Sequence, residues 1–507
     1  MSLAIIYSRA CIGMTAPLIT IEVHISVGLP CFQLVGLPQR SVSEAKERVR
    51  SAMINAGFEF PSKRITVNLS PADVPKSGAR FDLAIALGLL VASGQLEQHQ
   101  LDPYECVGEL ALSSQLRRVD GIMSAALACT KANKTLLTSI HNTTELSLLA
   151  PIQAFTGTHL SDIVGHIKQT DLLPKITADE NINQPSGNDL DIADVIGQDK
   201  AVRALLIAAA GGHNVLLFGP PGSGKTMLAQ RFNSLLPPLS QAEAVDNAMI
   251  LSVAGKDCHS QWGARPLRQP HHSTTPTAMI GGGLIPQPGE ISLAHRGTLF
   301  MDELPEFQRA AIDNLREPLE SGQVHLSRAN YNVTFPADFQ LIAAMNPSPT
   351  GDIENNRSTY DQTMRYLQKI SGPFLDRIDI QVDVKKVSVN DMFRAPPPTQ
   401  IANTSAELAQ RVQKAQTLQI KRQGVLNQKM TQRQIKTHCP LGQTEENFMR
   451  MAIDRLGLSL RVSHRIIKIA RTIADLEQGH TISQSHLAEA LQYRAFDRFL
   501  VQYAQEG

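Results

Sequence analysis

The chain has 507 residues, enough for about three domains of ordinary size, and 42% of them are hydrophobic, which is enough to build real cores. Its 33 glycines and 29 prolines are ordinary usage and exclude collagen-like or low-complexity chains. With 48 basic against 47 acidic residues the net charge is +1, so a globally basic nucleic-acid coat is excluded and any such contact must be local.

Leu18 to Val27 alternates apolar and polar residues and predicts a half-buried strand. Ser41 to Ala56 reads as a helix, with Ser41 as N-cap and Glu44 at capping-box spacing. Arg64 to Ser70 is a second strand and Phe81 to Ala92 an apolar helix, so residues 1–170 form an α+β block. Residues 171–193 are polar, rich in Asn, Asp and Pro, and read as a linker. Residues 194–384 alternate strand and helix. Asn214 to Phe218, Gly297 to Phe300 and Phe339 to Met345 are continuous apolar runs, as expected of strands buried on both faces of a parallel sheet. Residues 385–405 centre on Pro396, Pro397 and Pro398 and predict an extended spacer. Residues 406–507 read as helical, with Ile466, Ile467, Ala470, Ile473 and Ala474 in one amphipathic stripe. No internal repeat is present.

No apolar run approaches the ~20 residues that cross a bilayer, and the N-terminus lacks the pattern of a secretory signal. Cys11, Cys31, Cys106, Cys129, Cys258 and Cys439 are scattered without a C-x-x-C pair. They predict buried thiols in a reduced, cytoplasmic compartment, with neither a disulfide framework nor a zinc knuckle.

The sharpest motif is Gly219, Pro220, Pro221, Gly222, Ser223, Gly224, Lys225 and Thr226. It fits G-x-x-x-x-G-K-[ST], after a predicted strand and before a helix, which is the context a phosphate loop needs. Glycines let backbone N–H groups turn inward around phosphate oxygens. Lys225 would reach the β- and γ-phosphates of ATP, and the Thr226 hydroxyl would ligate Mg²⁺. The run TLFMDE ends in Asp302, a second Mg²⁺ ligand, and Glu303, the general base for water. Asn346, in AAMNP, would orient that water or serve as a turn residue before Pro347. Arg377, in FLDRID, would act as an arginine finger on a neighbouring subunit or pair with Asp376 or Asp379. Arg461, in SLRVSHR, would sense the γ-phosphate or sit on a solvated helix face.

Together these residues resemble the AAA+ ATPases. Pro270 to His272, Met279 to Gly283, Pro288 to His295 and FMDELPEF narrow the likeness to the magnesium-chelatase-like branch, in which an insertion precedes the catalytic strand. Asp302 lies 77 positions after Lys225, which leaves room for it. VGLPQRSVSEAKERVRSA, SGARFDLAIALG, SGPFLDRIDI and RVSHRIIKIARTIADL extend the resemblance over the whole chain, to the YifB/ComM family. That resemblance implies an α/β AAA+ phosphate-loop core with a helical lid, preceded by an α+β domain similar to Lon protease (ribosomal S5 domain 2-like). It implies hexameric, ring-forming ATPases that use ATP and Mg²⁺. Members of ComM type are implicated in natural transformation as helicases driving branch migration. Walker A then falls on Gly219 to Thr226, Walker B on Asp302 and Glu303, sensor 1 on Asn346, the finger on Arg377 and sensor 2 on Arg461, with Arg365 and Arg465 as nearby alternatives for the last two. Two departures matter. No cysteine follows Asn346-Pro347, so no zinc is expected. Arg80 stands where a Lon-type nucleophilic serine would fall, with Ser77 nearby, so proteolysis is not expected.

DNA, branched or duplex, is the expected partner. Arg411, Lys414, Lys421, Arg422, Lys429, Arg433 and Lys436 form a stretch free of acids that would neutralise phosphates or simply be solvated. Arg328, in the predicted hairpin Val324 to Phe335, is a second candidate. Trp262, Arg265 and Arg268 would form a mobile channel loop. His271 and His272, adjacent in sequence, are expected to point apart rather than to share a metal. The rival to a DNA motor is a chelatase-like ATPase chaperone acting on a protein. A third reading, an ATP-dependent protease, is opposed by Arg80.

Overall fold

The structure, a computed structural model, describes residues 2–36, 44–178, 190–328, 331–351, 358–387 and 404–506. The amino-terminal strands β1 (Ser2–Arg9), β2 (Leu18–Ser26), β3 (Cys31–Val35) and β4 (Arg64–Ser70) form one sheet in the order β1-β2-β4-β3. Only the β3–β4 pair is parallel. The alternation read from the sequence is real: Ile19, Ile21, Val23 and Ile25 point into the core. The strand stops at Ser26, however, and Val27 is 95% exposed. The helix Asp82–Ala92 is apolar on every side because the β1–β2 face covers it. Gly88 permits that contact, since a Cβ there would press on Val23. The next helix to differ from expectation is Ala45–Asn55. Its N-cap is Glu44, without a side-chain cap, and the expected cap Ser41 lies outside the described residues. A second, parallel sheet follows, in the order β5 (Tyr104–Cys106), β6 (Thr135–Ser139), β7 (Ala154–Gly157).

The central sheet contains β8 (Val215–Phe218), β9 (Leu267–Arg268), β12 (Thr298–Met301), β15 (Gln340–Met345) and β16 (Ile380–Asp383), in the order β9-β12-β15-β8-β16. All four pairings are parallel. Both faces are buried. Val215 and Leu217 join a cluster with the helix Asp199–Gly211 and the carboxy-terminal helices. Leu216 and Phe218 join one with the insertion and the hairpin β13 (Gln323–Arg328)–β14 (Tyr331–Pro336). That two-sided burial explains why these strands read as unbroken apolar runs. A smaller hairpin, β10 (Gly281–Gly282)–β11 (Gln287–Pro288), follows the short helix Pro276–Ile280.

The carboxy-terminal region is helical. Ser405–Gln423 and Leu460–Leu476 pack against Asp199–Gly211. A buried polar cluster holds this layer in register. Asp475 accepts from Arg422, Arg471 and the Asn427 amide, at 2.6–3.1 Å. His213 reaches Thr472 at 2.9 Å, which ties the central sheet to the same cluster. Asp475→Ala would leave two arginines facing a void. It should cost about 3–5 kcal/mol, read as a lowered melting temperature. Unchanged melting would mean that the cluster is not what fixes the helices.

Candidate functional site

A parallel sheet collects the carboxyl ends of its strands on one edge, and the candidate chemistry lies there. β8 runs into Gly219, whose N–H donates to the Met345 carbonyl at 3.2 Å. A Cβ on Gly219 would collide with the Val384 carbonyl, so no other residue fits. Gly222 and Gly224 have φ of 74° and 92°, which bend the loop back on itself. Lys225 folds over it and donates to the carbonyls of Gly219 and Pro220 at 2.7 and 2.9 Å, and to Asn346 Oδ1 at 3.0 Å. Burial pushes the Lys225 ammonium down from its ordinary pKa, against the pull of Asp302 and Glu303.

The sequence-predicted acids both follow β12, which is separated from β8 by β15. Thr226 Oγ donates to Asp302 Oδ2 at 2.7 Å, so the two oxygens expected around a divalent cation are already adjacent. The Ser223 hydroxyl is buried with no hydrogen-bond partner among the described residues. An orphaned hydroxyl in a glycine loop, a lysine satisfied only by loop carbonyls and an amide, and a paired Thr–Asp all fit a triphosphate with Mg²⁺. Glu303 follows Asp302 in the left-handed region at φ 52°, and its N–H donates to Asp302 Oδ1 at 3.0 Å. A non-glycine residue there stores strain of about 1–3 kcal/mol. The Glu303 carboxylate reaches the insertion while still acting on the charge of Lys225. There it meets His272, whose Nδ1 lies 3.4 Å from Glu303 Oε2. The sequence did not mark this contact. Nor do the histidines point apart: the 271 and 272 rings lie against each other, tilted by 36°, with centroids 4.0 Å apart. The reason is a turn in which Thr274 N–H returns to the His271 carbonyl at 2.9 Å. Among the described residues no cluster of three or more potential ligands would hold a metal ion on its own.

Arg377 and Arg461 come together, but not at this edge. Arg377 precedes β16, and its carbonyl accepts from the Asn214 amide at 2.9 Å, just before β8 begins. It therefore stands at the opposite end of the sheet from the loop, about 13 Å of strand away. Arg461 stands beside it. Both guanidiniums grip Glu320 Oε1, at 2.6 and 2.8 Å, and Arg461 also approaches Asp376 at 3.6 Å. Arg461, expected to sense the γ-phosphate or to sit on a solvated helix face, is held by the carboxy-terminal helices on the edge opposite the loop, half-exposed and paired with Glu320. Arg377 pairs with Glu320 rather than with Asp376 or Asp379. Of the alternatives, Arg365 is exposed on the helix Tyr360–Leu367. Arg465 is buried against Asp379 at 3.6 Å. Burial works against the Asp379 carboxylate, but His213 and Arg465 hold it below the usual carboxylate range. Arg377, Arg461 and Glu320 border an open cleft of about 1430 Å³ that also carries Arg296, Lys421 and Lys468.

The DNA-binding candidates separate. In the basic stretch, Arg422 is spent on Asp475 and Lys429 on Asp338. Arg411, Lys414, Lys421, Arg433 and Lys436 stay exposed. The first three lie at i, i+3 and i+10 on one helix, which gives a single stripe. Arg328 ends β13, and its Nη2 would lie 3.5 Å from a Cβ on Gly282, so the two hairpins touch. Arg265 and Arg268 are not in a mobile loop. Arg265 donates to the Pro237 and Arg296 carbonyls at 2.5 and 2.6 Å, and Arg268 pairs doubly with Glu290 at 2.7 and 2.8 Å. Trp262 packs beside Met123 and Cys258. Arg80 is buried and donates to the Asp120 carbonyl at 3.2 Å.

Comparison with known proteins gives the following likenesses. The model of magnesium chelatase subunit ChlI matches residues 191–392, a second ChlI model matches 21–142, and the ChlI carboxy-terminal model matches 402–494. The chain is 49% identical to the uncharacterised protein YifB of Salmonella typhimurium over 99% of each chain. It is 48% identical to competence protein ComM of Haemophilus influenzae, again over 99% of each. A shorter likeness, 28% identity over 31% of the chain and 32% of the relative, is to Lon protease 2 of Bacillus subtilis. The site geometry carries its own test. Lys225→Ala should weaken binding of a fluorescent ATP analogue at least tenfold, about 1.4 kcal/mol. Binding retained within twofold would separate this lysine from the phosphates.

Proposed function

This chain belongs to the magnesium-chelatase-like family that holds YifB and ComM, and from that premise we propose that it is an ATP-hydrolysing AAA+ ring motor acting on DNA, a branch-migration helicase of natural transformation and recombination. The observation that carries the reading is the division of the site between the two edges of the central sheet. Lys225, Thr226, Asp302, Glu303 and Asn346 converge on one edge. Arg377 and Arg461 stand on the other, out of reach of the same loop. A second copy that presents its arginine edge to this loop completes the site, and repetition of that head-to-tail contact closes a ring. In this reading residues 1–170, 194–384 and 406–507 are a Lon-like domain, the ATPase core and its lid.

In the completed site Gly219 to Thr226 wrap the phosphates and Lys225 leaves its loop carbonyls for the β- and γ-oxygens. Mg²⁺, held by Thr226 and Asp302, would neutralise phosphate charge. Asn346 orients the attacking water. Glu303 takes its proton as the water oxygen attacks the γ-phosphorus, the bond from that phosphorus to the bridging oxygen breaks, and ADP leaves with that electron pair. Arg377 and Arg461 of the next subunit exchange Glu320 for the γ-phosphate and stabilise the charge that builds there. The +1 net charge then confines DNA contact to local features: the Arg411–Lys414–Lys421 stripe and Arg328, multiplied by the symmetry of the ring. Such contacts make affinity fall steeply with salt.

Two experiments test this reading. Purified protein with ATP, Mg²⁺ and a four-way DNA junction should separate the strands, and Glu303→Gln should not. Absence of both DNA binding and strand separation at low salt would favour the protein-remodelling alternative. Mixing Lys225→Ala with Arg377→Ala, each inactive alone, should restore roughly a quarter of the wild-type ATPase rate, the fraction of interfaces that pair an intact loop with an intact finger in random rings. No recovery would mean that the finger does not act between copies.

A further inference from the structure

We propose that a groove beside the amino-terminal sheet docks a short extended segment of a partner protein, one in which apolar side chains alternate with acids. The groove has a volume of about 830 Å³, within the ~300–1,000 Å³ of built ligand pockets. No residue of the phosphate loop or of the arginine edge lines it. Buried Ile25 and Ala92 close its floor. β2 ends at Ser26, and the next residue, Val27, leaves the core for solvent. The helix Ala45–Asn55 turns Val49, Ala52 and Met53 inward and leaves Ile54 52% exposed. The loop that follows the helix brings in Phe58 and Phe60, each half-buried. Val27, Ile54, Phe58 and Phe60 thus meet in one groove although they come from three parts of the chain. Apolar side chains gathered in a concavity mark a contact site, where scattered ones would not.

The rim is basic. Arg50 stands one helical turn before Ile54, on the same face. Lys63 ends the loop, and Arg64 opens β4 against the turn at Gly28, where a Cβ would lie 3.6 Å from the Arg64 Cβ. All three cations are exposed, and none is ion-paired among the described residues. Against them the lining offers one acid, Glu59. The shape exists before any partner arrives. Gln95 holds the loop in both directions, accepting from Glu59 N–H at 3.0 Å and donating to the Glu59 carbonyl at 2.9 Å. Phe58 N–H donates to the Met53 carbonyl at 2.9 Å. A preformed groove spares a partner the cost of ordering it. The same details select against nucleic acid. A single strand binds by stacking its bases on open aromatic faces, and the Arg50 guanidinium already covers the Phe60 ring at 5.9 Å. In an extended peptide successive side chains point to opposite sides. Alternating apolar and acidic residues therefore fill the floor and meet the rim at once.

The test is fluorescence anisotropy of the full-length protein with labelled peptides of alternating Asp and Leu, Asp and Ser, or Lys and Leu, and with a labelled oligothymidine. Wild type should bind the Asp–Leu peptide and hold the other two peptides about tenfold more weakly or less. Ile54→Asp should weaken the Asp–Leu peptide about tenfold or more. The double variant Arg50→Glu, Lys63→Glu should weaken it by a similar factor and gain affinity for the Lys–Leu peptide, a swap that a collapsed groove would not give. Three results overturn the proposal. The first is a wild type that binds the Asp–Leu peptide no better than the other two, or a binding that survives both sets of substitutions. The second is tighter binding of oligothymidine that Ile54→Asp abolishes, which makes the groove a nucleic-acid site. The third is a smaller assembly of Ile54→Asp than of wild type in sedimentation, which gives the groove to a second copy of this chain.

Discussion

A parallel sheet has two chemically different edges, and the rest of this molecule follows from that constraint. Every strand of the central sheet runs the same way, so the residues that follow β8, β12 and β15 meet: the phosphate loop, the acidic pair and Asn346. The residues that precede β16 are delivered to the other edge. No loop rearrangement short of unzipping β8 from β16 would bring Arg377 to Lys225. Within one copy the loop and the arginine pair therefore cannot meet, and Glu320 holds both arginines.

The helical layer depends on the same geometry. It packs on Asp199–Gly211, beside the start of the sheet, and enters its core through Asp379, Arg465 and His213. Buried ion pairs are weak sources of stability but strong penalties against misplacement. Asp475, with two arginines and Asn427 around it, tolerates few alternative dockings. Arg461 lies on the first turn of the helix that carries Asp475. The position of one long side chain at the cleft is therefore set by a polar core that never touches it.

What was legible in the sequence divides along the same physical lines. The phosphate loop was legible because its chemistry is contiguous: eight residues in one turn between a strand and a helix. Asp302, Glu303 and Asn346 were legible as polar punctuation after apolar runs, since a strand buried on both faces leaves few other places for them. β2 was legible because alternation survives wherever one face is wet. The position of Arg461 was not legible because it depends on how one helical layer docks on another, a matter of three-dimensional packing with no local signature. The histidine pair was misread because a turn closed by Thr274 overrides the ordinary divergence of neighbouring side chains. Arg265 and Arg268 looked mobile by composition, yet each is held by partners 22 to 31 residues away. The partnership of Arg377 with Glu320 spans more than fifty residues and leaves no trace in spacing.

One contact outside the phosphate loop has a practical reach. The turn after β1 sets Gly13 against Val333, with Phe335 behind it, so closely that a Cβ would collide. Cys11, Ile12 and Met14 pack into the same cluster as the root of the β13–β14 hairpin. The amino-terminal sheet is thus the abutment on which that hairpin leans. A truncation that removes the first seventeen residues deletes a buttress as well as a strand. Any change of activity in such a fragment would report a loosened hairpin as much as a missing domain. Dissection of this chain is cleaner by point substitution within an intact frame than by cutting between its parts.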